Sequence, residues 1–225
     1  MEETKQSPIQ IKDLLIPGSI VIAGAIIAGT LFFTGGLPQA TLQEQGNLFQ
    51  ELAKGIGVNM KKFNDCVSKR TYQSKVQEHQ DEGSALGVGG TPGSFVNGTE
   101  VKGAISYEEL KSKVDEALAG TKGSLADQIQ ITPEDHVRGL ASAQVVILEF
   151  SDVQCPYCAV FHPTLQRILD DYGEKVRWVY RHYPIDSIHA QARPGAEASE
   201  CVWEQKGDDG FWKFVDGVFK NQNRL

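Results

Sequence analysis

A Cys-x-x-Cys motif constrains the fold of this chain more than any other feature of its sequence. Cys155-Pro156-Tyr157-Cys158 follows the apolar run Val145–Phe150 and opens a segment with helical patterning. At the start of a helix the first sulfur gains from the partial positive charge of the helix N-terminus, which favours the reactive thiolate. A strand, a Cys-x-x-Cys turn and a helix therefore predict a redox-active dithiol.

A static disulfide and half of a zinc site are the other uses of such a pair. Zinc needs four ligands, commonly from two such pairs, and the remaining cysteines, Cys66 and Cys201, stand far apart. The sequence thus favours redox chemistry, and neither a metal nor another cofactor is expected. The net charge of −7 argues against nucleic acid as a partner, although it is also typical of an ordinary acidic surface.

The N-terminal segment predicts where the domain resides. Leu14–Phe33 is a stretch of about 20 residues without a charge, the length that crosses a bilayer core as a helix. A cleaved signal peptide is the alternative, but its apolar region is usually shorter, and no clear cleavage site follows. The cysteine pattern suits an oxidising compartment. We expect residues 1–36 to form a cytoplasmic tail and a single-pass anchor in the cell membrane, with residues 37–225 on the extracytoplasmic side.

The residues after the anchor predict helices followed by a hairpin. Helical segments are predicted at 47–56, 59–67 and 72–86. Asn97-Gly98 is the predicted turn between the short strand Ser94–Val96 and a partner within Glu100–Ile105. Ser106, with Glu109 three residues later, is the predicted N-cap of the helix that closes this half.

The second half alternates strands with helices. It begins with Ile129–Thr132 and a loop, followed by the strand Val145–Phe150 and the helix from the cysteines, which Pro163 should kink. Val176–Tyr180 is the next predicted strand. Further helices are predicted at 190–204 and 210–221. This alternation indicates the α/β class, with a cluster of additional helices.

These segments resemble the DsbA-like thiol–disulfide oxidoreductases, a branch of the thioredoxin superfamily. In the second half the matching stretches are Glu149-Phe150-Ser151-Asp152, before the Cys-x-x-Cys motif, and Tyr180-Arg181-His182-Tyr183-Pro184. In the first half they are Gly90-Thr91-Pro92, Phe95-Val96-Asn97-Gly98 and Gly103-Ala104. The resemblance covers roughly residues 42–225 and implies an α/β, thioredoxin-like fold with an inserted helical subdomain.

The two halves stand in the reverse of the family's order. The family places the strand and the Cys-x-x-Cys motif first, the inserted helices next, and the Thr-Pro loop, hairpin and last helix at the end. Here residues 37–118 supply the late half and residues 129–225 the early half, joined by a linker at 119–128. This order predicts a circular permutant, which folds when chain ends lie close and cuts fall in exposed loops. A rearranged sequence and a domain-swapped dimer are the alternatives.

The active-site motif and the resemblance predict a role for each residue near the sulfurs. Cys155 is the expected nucleophile, and Cys158, one turn into the helix, is the expected buried resolving thiol. Pro156 and Tyr157 set the loop between them and so tune the stability of the thiolate. In the family the proline of the Thr-Pro loop is cis and lies against the sulfurs, which implies the same for Thr91-Pro92 and assigns this loop to substrate binding. The alternative is an ordinary turn proline.

Glu149 and the second cysteine pair are the other candidate site residues. Glu149 lies within an apolar strand, where a buried carboxyl with a raised pKa can exchange a proton with the buried thiol, as the family's acid at this place implies. A solvent-facing position on an edge strand is the alternative. Some relatives carry a structural disulfide in the helical subdomain, which implies a Cys66–Cys201 bond, with two inert thiols as the alternative. His162 and His182 receive no role.

The residues and the resemblance together favour a membrane-anchored thiol–disulfide oxidoreductase that introduces disulfides into exported proteins. A reductase or isomerase with the same sulfurs, a non-catalytic chaperone-like module and a redox protein dedicated to one partner are the alternatives. The expected partners are unfolded or exported proteins with thiols, and a membrane redox protein that resets the Cys155–Cys158 pair.

Overall fold

A computed structural model describes residues 40–225 of the chain, with side chains from residue 48 on. The strands are β1 (Gly93–Val96), β2 (Thr99–Lys102), β3 (His136–Arg138), β4 (Val145–Ser151) and β5 (Val176–His182). The helices are α1 (Ala40–Ile56), α2 (Met60–Ser68), α3 (Gln73–Ala85), α4 (Tyr107–Leu118), α5 (Pro156–Tyr172) and α6 (Ala192–Lys220). The strands form one mixed sheet in the order β2-β1-β4-β5-β3, and residues 44–225 form one compact unit.

The sheet unites the two halves of the chain. β4 and β5 are neighbouring parallel strands, connected along the chain by α5. β1, from the first half, pairs antiparallel with β4. In this register Ser94 pairs with Glu149, and Glu149 pairs with Tyr180. Because paired residues of neighbouring strands share a face of the sheet, these three side chains lie in one row on one face.

Each face of the sheet has its own core. The core on one face includes both cysteines of the Cys-x-x-Cys motif and side chains of α4, α5 and α6. The other face carries the buried residues Val88, Phe95, Leu148, Phe150 and Val179. A third cluster lies mainly between α1, α2 and α6 and contains Cys66 and Cys201. The helical subdomain therefore has its own apolar core and shares α6 with the core around the motif.

The hairpin and the helix after it follow directly from local chemistry. Asn97 and Gly98 have positive φ values of 44° and 81°, which suit a two-residue turn between β1 and β2. The Ser106 hydroxyl accepts a hydrogen bond from Glu109 N–H, and the Glu109 carboxylate accepts one from Ser106 N–H. This capping box begins α4, so the predicted hairpin turn and N-cap are both confirmed.

Two helices contain a residue that disfavours helical geometry. α5 continues through Pro163 to Tyr172 as one helix. α6 is assigned as one stretch, but Gly207 within it has φ 63° and ψ −161° and breaks the helical geometry. The predicted gap between residues 204 and 210 is thus present, because a positive φ favours glycine and interrupts a helix.

The segment 119–131, which contains the predicted linker at 119–128, packs against the hairpin turn and the sheet. Gly123 N–H donates to Asn97 O at 3.0 Å, and Ile129 and Ile131 pack against the core that contains Phe95. The short strand β3, which was not predicted, pairs antiparallel with β5 at the sheet edge. Two of its three residues are polar, so its sequence carries little strand signal.

Membrane crossing was predicted for Leu14–Phe33, which lies outside the described residues. Among helices α1 to α6, none is both long enough and apolar enough to span a bilayer.

Candidate functional site

The Cys-x-x-Cys motif begins helix α5. Cys155 is the N-cap residue, with extended backbone angles of φ −71° and ψ 123°, and Pro156 is the first helical residue. Proline suits this position because its φ is already helical and its missing N–H would have no partner within the helix. The Cys155 sulfur therefore lies at the helix N-terminus, where N–H groups favour negative charge.

The loop after β4 and the Thr91-Pro92 loop before β1 meet at the sulfurs. The thiol of Cys155 donates to the carbonyl oxygen of Thr91 at 3.4 Å, and the peptide bond between Thr91 and Pro92 is cis. Cys155 is only slightly more exposed than Cys158: its exposed fraction is 4%, against 0% for Cys158. The Thr-Pro loop thus lies against the sulfur that is expected to act as the nucleophile.

The surroundings of the two thiols shift their pKa values in opposite directions. The Cys158 thiol, the Thr91 side chain and the N–H groups of Tyr157 and Cys158 lower the pKa of Cys155 to about 5. The Thr91 hydroxyl is buried without a hydrogen-bond partner among residues 40–225, so it is free to donate to a Cys155 thiolate. Burial, and then the neighbouring Cys155, raises the pKa of Cys158 well above its usual value. Both cysteines are free in the structure, and these opposite shifts favour deprotonation of Cys155 before Cys158.

Glu149 is fully buried on the central strand β4. Its Oε2 accepts a hydrogen bond from Trp178 Nε1–H at 3.0 Å, while its Oε1 makes none with the described residues. Burial raises the pKa of Glu149 to about 8, against the lowering effect of Ser151 and Trp178. The charge of Glu149 also contributes to the raised pKa of Cys158. A carboxyl that is protonated near neutral pH beside a buried thiol can exchange a proton with it.

Asp152 holds the loop between β4 and the cysteines. Its carboxylate accepts hydrogen bonds from the N–H groups of Gln154 and Ile185 and from His189 Nδ1, each at 2.8 Å. Its own N–H donates to Cys158 Sγ at 3.5 Å. Sequence analysis assigned Asp152 no role of its own, because two of these three partners, Ile185 and His189, lie more than thirty residues away.

A buried charge cluster was missed by sequence reasoning. Glu200 Oε2 accepts from Lys75 Nζ at 2.9 Å, and Glu200 Oε1 lies 2.6 Å from His136 Nε2 and 3.0 Å from His182 Nε2. Burial raises the pKa of Glu200, but the two histidines outweigh it and keep that pKa well below the usual range. The side chains of His79, His182 and Glu200 lie close enough to hold a metal ion, and the Lys75 ammonium already supplies a positive charge there. The cluster ties α3 and α6 to the sheet.

The remaining predicted residues lie at or near the sulfurs, or in the helical subdomain. Tyr157, next to Cys155, has 67% of its surface exposed and offers an apolar surface beside the sulfurs. Cys66 of α2 and Cys201 of α6 form a disulfide with a Cα–Cα distance of 5.9 Å. His162, left without a role, bonds Asp216 through Nε2 at 2.7 Å.

Comparison with known proteins gives a family and several partial relatives. The profile of the family described as thioredoxin matches residues 30–116 and 131–225. Two Na(+)/H(+) antiporters named NhaA, from Salinispora tropica and Salinispora arenicola, are 37% and 36% identical over 48% of this chain, which spans only 16% of their length. The crystal structure of Pseudomonas aeruginosa DsbA2 is 35% identical over 40% of this chain and 50% of that chain, with a TM-score of 0.38. Because the family profile covers most of the sequence, the chain belongs to the thioredoxin family.

Proposed function

We propose that the protein is a DsbA-like thiol–disulfide oxidoreductase that passes its Cys155–Cys158 disulfide to exported proteins with thiols. The observation that carries this proposal is the position of Cys155 Sγ, at a helix N-terminus and 3.4 Å from Thr91 O, beside the cis bond to Pro92. The pKa of about 5 for Cys155 supports the oxidase direction. A stabilised thiolate favours the reduced form, which makes the disulfide a stronger oxidant.

In the proposed reaction a substrate thiolate attacks Cys155 Sγ, forms a mixed disulfide and expels Cys158 as a thiolate. Glu149, protonated near neutral pH, gives its proton to that sulfur and regains one from solvent. A second substrate thiolate attacks the substrate sulfur of the mixed disulfide, and Cys155 leaves as a thiolate. The substrate loses two protons and two electrons, and the Cys155–Cys158 bond takes up the two electrons.

The substrate is proposed to bind as an extended segment along the Thr91-Pro92 loop. The backbone of Thr91 would pair with the substrate in the manner of an added strand, once the substrate sulfur replaces the Cys155–Thr91 contact. Pro156 fixes the start of the helix, and the exposed ring of Tyr157 offers an apolar surface to the substrate. Such contacts recognise unfolded chains without reading a particular sequence.

The test is oxidative refolding of a reduced, unfolded secreted protein by the oxidised enzyme. We expect Cys155→Ala to abolish disulfide transfer, and Cys158→Ala to trap a mixed disulfide on Cys155. A double variant, Cys66→Ala with Cys201→Ala, is the control and should retain transfer. Transfer by Cys155→Ala would contradict the proposal. A reduction potential at or below about −270 mV, the value of a reducing thioredoxin, would favour the reductase direction instead.

We also propose that the domain is a circular permutant of its family. The Thr-Pro loop, hairpin and α4 precede the strand β4 and the Cys-x-x-Cys helix in the chain, yet β1 pairs with β4 in one sheet. The two separate segments that match the family profile are consistent with this order. The linker at 119–128 would then join the family's usual C-terminus to its usual N-terminus.

We further propose that Leu14–Phe33 anchors the domain on the extracytoplasmic side of the cell membrane, where a membrane redox protein resets the Cys155–Cys158 pair. The uncharged length of the segment and the Cys66–Cys201 disulfide, which suits an oxidising compartment, support this location. Alkaline extraction of membranes should leave the full chain in the pellet, and external protease should reach the domain. Release of the chain by alkali would contradict the anchor.

A further inference from the structure

A cavity of about 350 Å³ lies on the face of the sheet opposite the cysteines. Its floor is formed by Phe95 and Leu148, which are each 1% exposed, and by the half-buried Val146. Ile129 and Ile131, from the segment between the two halves, complete the apolar lining. This volume lies at the lower end of the range for small-molecule sites, which are mostly apolar with a few polar groups that orient the ligand.

The segment that walls this cavity is fixed against the hairpin turn. Gly123 N–H donates to Asn97 O, and Leu125 N–H donates to Gly98 O at 3.4 Å. A Cβ atom on Gly123 would lie 2.0 Å from the carbonyl carbon of Gly98, so the two backbones meet where only glycine fits. The backbone of the segment 119–131 is therefore held against the hairpin turn at this edge of the cavity.

Of the polar side chains that line the cavity, Lys122 and Arg177 are cations that can contact a ligand. The amides of Asn97 and Gln144 are already engaged: Asn97 Oδ1 accepts from Val146 N–H at 2.8 Å, and Gln144 Nε2 donates to Leu118 O at 2.9 Å. Arg177 Nε is buried and has no hydrogen-bond partner among the described residues. Within residues 40–225 the cavity lining contains no carboxylate, and neither Lys122 nor Arg177 has an ion-pair partner. On a chain of net charge −7, this is a cationic site with an apolar floor.

We propose that this cavity binds a small organic anion with an apolar body, namely a monocarboxylate of medium chain length. The Arg177 guanidinium presents a planar pair of donors that matches a carboxylate, and Lys122 adds a second positive charge at the rim. The hydrocarbon chain would lie on Phe95, Val146 and Leu148. Such a ligand would bridge the segment 119–131 and the sheet, and so stabilise the folded chain by mass action.

The test uses octanoate as the probe, with octanol and octylammonium as neutral and cationic analogues. Backbone amide shifts should change at the cavity lining in a 1:1 titration with octanoate, and the unfolding temperature should rise. Arg177→Gln should weaken octanoate binding about tenfold, the loss expected for one charged hydrogen bond. Arg167→Gln, an exposed cation on α5 with the same change in net charge, should leave binding within a factor of about two.

Three results would overturn the proposal. These are equal binding of octanol and octanoate, an equal loss in Arg177→Gln and Arg167→Gln, and no shift at the cavity lining with millimolar octanoate. Circular dichroism and the unfolding temperature of each variant show that it is folded before it is titrated. Because the readout is binding and not disulfide transfer, this site is tested independently of the proposed oxidoreductase activity.

Discussion

At the scale of single residues, the dithiol is controlled by three kinds of group. The Cys158 thiol, the Thr91 side chain and the helix N-terminus lower the pKa of Cys155, burial raises that of Cys158, and the Trp178 indole N–H donates to one oxygen of Glu149. Each effect is local, and each favours one thiolate and one thiol over two thiols or two thiolates. The proposed disulfide exchange thus depends on the pKa differences among Cys155, Cys158 and Glu149.

Glu149→Gln should stabilise the protein and slow disulfide exchange. The folded state raises the pKa of Glu149 to about 8, so the folded chain binds the proton more tightly than the unfolded chain does. Wild-type stability is therefore lost as the pH rises from the unfolded value through about 8. The variant should gain on the order of 3 kcal/mol at pH 7 and nothing near pH 4. Urea unfolding of the oxidised protein across this pH range measures the difference.

Glu108→Gln is the control for that experiment, since it removes the same charge from an exposed position on α4. It should change stability by less than about 0.5 kcal/mol at every pH. A Glu149→Gln variant with the same pH dependence as wild type would show that the carboxyl is ionised in the folded protein.

At the scale of elements, sequence reasoning succeeded where the signal is local. Asn97-Gly98 and the Ser106–Glu109 pair specify a turn and a cap by their own chemistry, and the structure has both. Lys75 and Glu200 read as exposed helix residues, because no local pattern shows that they meet across 125 positions. Strand β3 also depends on a distant partner, the edge of β5. Long-range pairing is what the sequence pattern could not predict.

The disulfide between α2 and α6 should contribute to stability and not to redox chemistry. Cys66 and Cys201 stand 135 positions apart, so their bond removes much of the conformational freedom of the unfolded chain. Replacing both by alanine should cost about 3 to 5 kcal/mol of unfolding free energy, as chain-entropy reasoning gives for a loop of this size. The reduction potential of Cys155–Cys158 should stay unchanged. A stability loss below about 1 kcal/mol would contradict this assignment.

At the scale of the whole molecule, the proposed permutation concerns the order of elements along the chain and not their arrangement in space. The C-terminal turn lies against α1, where Arg224 Nη2 is 3.0 Å from Glu51 Oε2. The segment at 119–131 packs on the sheet but carries none of the residues proposed to act in disulfide exchange. The site needs β1, β4 and α5 side by side, and the sheet places β1 next to β4 although β1 comes from the first half of the chain.

A rearranged chain tests this directly. It would run from residue 123 to 225 and, after a short Gly-Ser linker, from residue 40 to 122. We expect the same reduction potential and disulfide transfer, with a stability change within about 2 kcal/mol, because loop closure costs grow slowly with length. The control is a chain cut after Asp152, which separates strand β4 from the Cys-x-x-Cys helix and should lose activity. Failure of the first chain to fold would show that the order of the halves is essential.

The Cys66–Cys201 bond has one more consequence, for a chain cleaved by a protease. The exposed positions of the segment 119–131 lie between the two partners of this bond, and also between Pro92 and Cys155. A single cut there would yield two fragments, each with part of the redox site. The covalent bond would keep the fragments together, so the nicked molecule would stay assembled until that disulfide is reduced.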